Sequence, residues 1–380
     1  MSKKMEFYYF HLMPYPYLPE DFHHQYESTW VTLPNSLYDP EKGHELYNRF
    51  IDEIVQAAEL GWDGVCVNEH HQNAYGTMPS PNIIAAMLVH RVKKAKIAII
   101  GNALPLHDDP LRVAEEIAML DVISGGRIIS GFVRGTGMEY YSYNINPAHS
   151  RERFYEAHDL IIRAWTEPGP FRFEGKHYNY RYVNPWPRPL QKPHPPIWLP
   201  GTGSLETVEF AAEKRYPFMM VFSPQSYQRK AYELYRRLAE DKFGYEAQPN
   251  QLAFAIPTFV AETDAIARKE AEKHVMWLFH KGLHTTLQFS FPPGYVSEKS
   301  LAAIMGSGLK QFYQLSFQEL IDDGYIIVGS PATVIEKLSV YTEEMKAGML
   351  IGGAQCGDMP KELVQKNMEM FAKEVMPHFR

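Results

Sequence analysis

The sequence predicts an α/β fold, a closed (β/α)8 barrel with insertions. Short apolar runs alternate with longer segments of helical periodicity along all 380 residues. That alternation is what a parallel sheet with right-handed crossovers produces, and eight strand–helix pairs suffice to close such a sheet into a barrel. No sharp change of composition and no short-period repeat divides the chain, so residues 1–380 are expected to form a single domain. The other arrangement open to this pattern is an open doubly wound sheet.

Residues 7–13 read as the first strand, and 45–60 as the first helix, with Leu46, Phe50, Ile54, Ala57 and Ala58 at helical spacing. Strand 64–67 and helix 82–90 follow, then strand 97–101 and helix 110–123, where Pro110 suits a first helical turn. Strand 128–133 and helix 151–165 complete the first half. The segment 168–196 breaks the rhythm with prolines and aromatics. Residues 171–173 and 177–182 flank Glu174-Gly175-Lys176 as a hairpin. The alternation resumes with strand 197–199, helix 204–214, strand 218–222, helix 225–243, strand 252–260 and a helix after Asp264. A less regular insertion at 280–325 precedes helix 331–345, the last strand at 349–351 and the last helix at 361–375. A long loop at 14–42 carries Tyr15, Tyr17, Phe22, Tyr26, Trp30 and Tyr38. Such a loop suits a lid that shields a reactive site from water, or else a dimer contact or packing against the barrel.

Composition narrows the function. The net charge is −7, with no long block of one sign, which argues against a nucleic-acid partner held on a basic face. Two cysteines, Cys66 and Cys356, make no disulfide framework and fit a reducing cytoplasm. Lys3 and Lys4 precede a short apolar run that Pro14, Pro16 and Pro19 interrupt, so neither a signal peptide nor a membrane span is expected.

In a parallel barrel the active site forms where the strands end. Five strand ends carry small, polar or ionisable residues: Asn68-Glu69-His70-His71, Gly101-Asn102, Val133-Arg134-Gly135, Pro200-Gly201-Thr202-Gly203-Ser204 and Gly352-Gly353-Ala354-Gln355-Cys356. The glycine-rich run before the fifth helix offers close backbone approach and unpaired N–H groups to an anion, with Ser204 and Thr207 as hydroxyl donors and Arg134 or Arg151 as positive charge. Read as local structure, the same run is a tight turn with Ser204 as cap. It is neither a Walker loop nor a dinucleotide fingerprint. Glu69, His70 and His71 are adjacent, and neighbouring histidines at a strand end point in opposite directions, so no metal is expected there. A single histidine lining a pocket as acid or base is the more natural reading. Glu115, Glu116, Asp121 and Arg127, around Ser124-Gly125-Gly126, read as charge pairs bracing the bottom of the barrel.

Four segments, taken in their order and spacing, resemble the bacterial luciferase-like flavin-dependent monooxygenase superfamily. They are Asn68-Glu69-His70-His71, Gly101-Asn102, the stretch from Leu120-Asp121 to Ser124-Gly125-Gly126-Arg127, and Gly203-Ser204 with Thr207. The resemblance covers most of the chain, from the first strand to Val375-Met376-Pro377. It implies a TIM barrel with an extra insertion between strand 7 and helix 8, and reduced FMN bound at the C-terminal mouth. It assigns the catalytic histidine to His70 and puts a non-proline cis peptide at Gly101-Asn102, beneath the isoalloxazine ring. Arg134 and Arg151 then lie near the flavin phosphate, and Gly203, Ser204 and Thr207 in the phosphate loop. Val133 stands where luciferase has a reactive cysteine near the flavin, a departure that speaks against light emission and not against oxygenation. Glu69, His71 and Gln355 are the substrate-pocket candidates.

The activity so implied is oxidation of a small to medium, largely apolar organic substrate by dioxygen and reduced FMN. A separate flavin reductase supplies the FMN, since no nicotinamide fingerprint is visible. His70 would transfer a proton or steer the activated oxygen. One alternative is a hydride-transferring oxidoreductase that uses a deazaflavin. Another, of a different class, is a non-catalytic flavin-binding protein. A homodimer or higher homo-oligomer is expected.

Overall fold

The computed structural model describes residues 5–298, 301–302 and 310–380. Its strands are β1 (Glu6–Phe10), β2 (Gly64–Val67), β3 (Lys96–Ala103), β4 (Ile128–Val133), β5 (Phe171–Glu174), β6 (Asn179–Val183), β7 (Ile197–Gly201), β8 (Phe218–Val221), β9 (Leu252–Val260), β10 (Ile327–Gly329) and β11 (Met349–Gly353). Eight of them, β1, β2, β3, β4, β7, β8, β9 and β11, pair in parallel in that order, and pairings of β8 with β9 and of β9 with β11 close the ring. The barrel is therefore the one expected, and the open sheet is excluded. Its strands are buried on both faces, which is why they read as unbroken apolar runs; all nine residues of β9 are buried.

One strand was not foreseen. β10 pairs in parallel with the far end of β9, Ile327 opposite Thr258 and Gly329 opposite Val260, outside the ring. β9 is long enough to pair with β11 through Pro257 and with β10 beyond it. The expected insertion at 280–325 is described except at 299–300 and 303–309, which lie outside the described residues. The hairpin at 168–196 is present as antiparallel β5 and β6. The loop after β1 ends earlier than the expected 42, because Asp39 caps the helix Pro40–Glu59 by accepting from Glu41 N at 2.9 Å. Helices expected to reach 243 and 375 do so through π-helical last turns, Leu238–Lys242 and Phe371–Val375.

The charge pairs expected at the bottom of the barrel are only partly formed, and Glu116 lies instead toward the rim, accepting from Asn82 Nδ2 at 2.8 Å, while Asn82 Oδ1 accepts from Asn102 Nδ2 at the end of β3. Glu116 accepts from Arg112 Nε at 2.8 Å. Asp121 instead accepts from Gln191 N at 2.9 Å and Gln191 Nε2 at 2.7 Å. Arg127 donates to the carbonyls of Ser124, Ala95 and Val89. Buried charges need fully satisfied hydrogen bonds, and backbone carbonyls supply them here.

His158, on the helix Ser150–Thr166, is buried with Nε2 3.1 Å from Tyr216 Oη. Burial, with Lys214 and His194 adding repulsion, pushes its pKa from 6.5 down to about 3. Unfolding therefore takes up a proton below pH 6.5, so stability falls with acid across that window, by roughly 1.4 kcal/mol per pH unit for one fully coupled histidine. Urea unfolding of the wild type and His158→Gln at pH 7.5 and 5.5 should show a smaller loss in the variant. Equal losses would show that His158 does not set this acid limb.

Candidate active site

Because the ring strands are all parallel, their C-terminal ends share one rim, and the residues that follow them meet there. His70 leaves β2 with Nδ1 2.9 Å from Glu139 Oε1. Glu139 is buried, and its other oxygen accepts from Thr136 N at 2.8 Å. The carboxylate thus fixes the imidazole with its proton on Nδ1. Among the described residues Nε2 has no hydrogen-bond partner. Two aromatic rings flank the imidazole edge-on, Trp30 at 5.0 Å and Tyr75 at 5.1 Å between centroids. Trp30 comes from the loop expected to act as a lid, and its Nε1 donates to Gly282 O at 3.0 Å. That loop is laced to the segment after β9 by Thr29 N to His284 O at 2.9 Å, and by the Ser28 and Thr285 hydroxyls at 2.9 Å.

Glu69 and His71 form a second, separate cluster. Glu69 Oε1 lies 2.7 Å from His71 Nε2, whose other nitrogen lies 2.9 Å from Tyr143 Oη. Glu69 Oε2 meets His107 Nε2 at 3.2 Å and accepts from Ala103 N at 3.2 Å and Asn102 Nδ2 at 3.3 Å. Burial works against the Glu69 charge, but the hydrogen bonds from His107 and His71 outweigh it and hold the carboxyl well below the usual carboxylate range. Burial likewise works against a charged His107, and the Glu69 bond outweighs it, so His107 is raised. His70 and His71 thus serve different carboxylates, as their opposite directions at a strand end require.

On the far side of the rim, Gly203 at φ +95° leads into Ser204 and the ten-residue helix Leu205–Lys214. Ser204 Oγ pairs with Thr207 Oγ1 at 2.8 Å rather than capping a backbone N–H. The local reading of Ser204 as a side-chain cap therefore fails. Arg151 Nη2 lies 3.5 Å from Glu206 Oε2. Arg134 donates to Ser150 Oγ at 3.2 Å and lies over the Tyr295 ring at 4.5 Å. Burial raises the pKa of the Tyr295 phenol, while the charges of both Arg134 and Arg151 act to lower it. Two arginines, two hydroxyls and a helix N-terminus make a cradle suited to a phosphate.

Three buried acceptors at strand ends, Asn68 Oδ1, Asn102 Oδ1 and Gln355 Oε1, have no partner among the described residues. Gln355 Nε2 donates to Gly357 O at 2.7 Å. Gln355 also lines a small cavity with Phe10, Leu12, Phe222, Ile256 and Leu278. Orphan acceptors beside an apolar wall and a phosphate cradle fit a phosphorylated heteroaromatic cofactor. A larger cavity beside β10, lined by Asp264, Arg268 and Lys337, holds none of the rim residues.

The expected cis bond at Gly101-Asn102 is absent. The cis bonds among the described residues are Gly169-Pro170, Trp186-Pro187 and Lys192-Pro193. Gly101 has another cause: a Cβ there would stand 2.6 Å from the backbone of Gly131, so glycine is needed for β3 and β4 to touch. Val133 packs against the cluster of Ala103, Leu106 and Tyr140. Sequence reasoning missed Glu139, His107 and Tyr143. Each lies in a loop or short helix, and none has a spacing that reports its partner; Glu139 stands 69 positions from His70.

The family model for luciferase-like monooxygenases matches residues 27–345. The chain belongs to the luciferase-like monooxygenase family. Among curated relatives, the alkanal monooxygenase alpha chain of Photobacterium leiognathi is 28% identical over 208 residues, 54% of this chain and 58% of that one. The 3,6-diketocamphane 1,6-monooxygenase of Pseudomonas putida is 24% identical over 367 residues, 86% of this chain and 91% of that one. Among solved structures, the oxygenating constituent of the Pseudomonas putida 3,6-diketocamphane monooxygenase in complex with FMN superposes with a TM-score of 0.73 at 20% identity, over 99% of both chains. An F420-dependent secondary alcohol dehydrogenase superposes with a TM-score of 0.68 at 15% identity, again over 99% of both. In this family member the eight-stranded ring is closed. No helix among the described residues is long and apolar enough to cross a membrane.

The Glu69–His107 pair of this luciferase-like monooxygenase has a testable pH signature. Glu69 is lowered, so its contribution is lost as pH falls below its ordinary 4.5 and on through its folded value. His107 is raised, so its contribution is complete below 6.5 and is lost as pH rises through its folded value. The pair therefore stabilises most between those two values. Proton NMR of the His107 ring should show titration above that of a free histidine, falling in Glu69→Gln, with a loss of about 1–3 kcal/mol from the unpaired donors. A His107 titration unmoved by Glu69→Gln would remove the coupling.

Proposed function

We propose that this chain is the oxygenase of a two-component system. It takes reduced FMN from a separate flavin reductase and, with dioxygen, oxidises a small to medium, largely apolar organic compound. The observation that carries the reading is His70, oriented by the buried Glu139 and covered by Trp30 and Tyr75, on the same rim as a phosphate cradle. Reduced FMN supplies the electrons and the oxygen activation when bound, chemistry that side chains alone do not provide. Arg134, Arg151, Ser204 and Thr207 would hold the phosphate, and the helix after Gly203 would add its N-terminal N–H groups. Asn102 and Gln355 would offer the flavin their unpaired amide oxygens. Gly101 and Val133 shape its seat.

His70 is the catalytic residue in this reading. Glu139 accepts a hydrogen bond from its Nδ1–H, which leaves the Nε2 lone pair to take a proton from the reacting group and return it. Trp30 and the aromatic loop exclude water from that transfer. Glu69 and His71 hold Asn102 and the end of β3 in place. The runner-up is the deazaflavin oxidoreductase, which the F420-dependent neighbour keeps in view. A mere flavin binder is disfavoured by the full barrel and the intact His70–Glu139 pair. A cytoplasmic location accords with two free, buried cysteines.

An anaerobic titration with oxidised FMN, reduced FMN and reduced deazaflavin, followed by oxygen and a panel of aldehydes and ketones, tests this function. Reduced FMN should bind tightest, and labelled oxygen from dioxygen should enter the product. Turnover with deazaflavin in the absence of oxygen would decide for the runner-up. Arg151→Ala should weaken reduced-FMN binding by about tenfold or more. His70→Ala should keep that affinity but lose product by about 10²–10⁴-fold, with hydrogen peroxide in its place. Equal product yield in wild type and His70→Ala would sink the catalytic role.

The chain is further proposed to form a homodimer. Helices Pro81–Arg91 and Pro110–Ser124 pack side by side and expose Ile83, Met87, Met119, Val122 and Ile123. An apolar face on two adjacent helices is self-complementary about a two-fold axis, and a second copy is the occupant it suits. Sedimentation should give twice 43.8 kDa for the wild type and a single mass for Met87→Asp/Val122→Asp. A monomeric wild type would refute the dimer.

A further inference from the structure

The hairpin insertion is tied to the helix Ser150–Thr166 at one place. Glu156, on that helix, accepts from the backbone N–H groups of Lys176 at 2.9 Å, His177 at 2.9 Å and Tyr178 at 2.6 Å. A side chain at Gly175 would collide with the same carboxylate. The tip of the hairpin is therefore held rigidly, and it sets His177 against the first turns of the helix. One turn before Glu156 stands Glu152. Its Oε2 atom lies 3.0 Å from His177 Nε2 and 3.7 Å from His149 Nδ1. The two imidazole rings are 5.6 Å apart between centroids and tilted by 46°.

We propose that His149, Glu152 and His177 form a surface site for a divalent transition-metal cation, with two imidazoles and one carboxylate as ligands and the remaining position open to water. The site uses none of the residues assigned to the flavin above, although His149 and Glu152 flank Arg151 in the chain. Ligand atoms about 2.0–2.2 Å from a tetrahedral ion stand roughly 3.3–3.5 Å from one another. The three donor atoms here already lie within 4.8 Å of one another, two of the spacings bracketing that range. Two nitrogen donors and one oxygen favour zinc, nickel or copper over calcium and magnesium, which take oxygen ligands. The 3-residue and 25-residue separations of Glu152 from the histidines join two elements, so a bound ion would lock the hairpin tip to the helix that carries Arg151.

The place is already one for a cation. Lys176 Nζ stands 2.8 Å from the same Glu152 oxygen. Its side chain is largely exposed, so the ammonium can turn to water when a metal takes its position. This competition separates a metal site from an ordinary ion-pair cluster: loss of Lys176 should favour the metal, whereas it would merely weaken an ion-pair cluster.

The test is a titration of the untagged, chelator-treated full chain with Co²⁺, read by visible absorption, with displacement by Zn²⁺ read by calorimetry. One equivalent of Co²⁺ should give the intense bands of a tetrahedral or five-coordinate ion, and Zn²⁺ should abolish them. His177→Ala and His149→Ala should each lose more than the roughly 10–100-fold that removal of an outer-shell partner costs. Lys176→Met, which leaves all three ligands in place, should bind tighter. Co²⁺ bands that persist in His149→Ala/His177→Ala would overturn the site. So would stabilisation by Mg²⁺ equal to that by Zn²⁺, or Lys176→Met binding no tighter than wild type.

Discussion

The rim is arranged around one backbone contact, that of β3 on β4 at Gly101 and Gly131. A Cβ on Gly101 would meet the Gly131 carbonyl group at 2.6 Å, and one on Gly131 would run into the Ile99 carbonyl. Two glycines let the strands touch, and the pairing register shifts between Ile99 and Asn102 at this point. The shift presents Ala103 N and the Asn102 amide to Glu69 on the neighbouring strand end. From there His71 and His107 take their positions. On the other strand, Val133 and Arg134 follow two and three residues after Gly131, and Tyr140 reaches back to the Arg134 carbonyl at 2.5 Å. The glycines matter here for what they omit: any side chain would separate the two strands and the groups beyond them.

Histidine paired with buried glutamate recurs around the same rim. His11 follows β1 and meets Glu53 at 3.0 Å, His70 meets Glu139, and His71 and His107 share Glu69. The pairs are not equivalent. His11 Nδ1 accepts from Met13 N at 2.9 Å, so its proton is on Nε2, and burial lowers its pKa. With its imidazole uncharged, His11 braces the turn where Met13 adopts φ 52°. His107 carries the opposite shift. Among the described residues His70 and His107 each keep one ring nitrogen without a hydrogen-bond partner, and of the two it is His70 that stands between the Trp30 and Tyr75 rings, where a histidine is available for chemistry.

The strands were legible because burial on both faces leaves little but apolar residues in them. The bounds of β2, β4 and β9 match the apolar runs residue for residue. The rim residues were legible because a parallel barrel puts every strand end on one side. What escaped was set by contacts between distant segments. Ile327–Gly329 is too short to announce itself and pairs only because β9 overshoots the ring. Glu139 and His107 gain their roles from histidine and glutamate on another strand end, which no local period encodes. Gly101 was assigned to an unusual peptide bond when its cause is the neighbouring strand, since a glycine in sequence does not reveal which of its liberties is in use.

The lacing of residues 28–32 to residues 281–285 has a kinetic side. Thr29, Trp30 and Ser28 bond to Lys281, Gly282 and Thr285, some 250 positions along the chain. Neither segment can lift while the other stays, because Ser28, Thr29 and Trp30 all bond across to residues 281–285. The covering therefore behaves as one cooperative unit, whose amides would exchange with solvent together. Were the loop to cover the rim, entry would follow a single opening equilibrium rather than independent fluctuations of two loops.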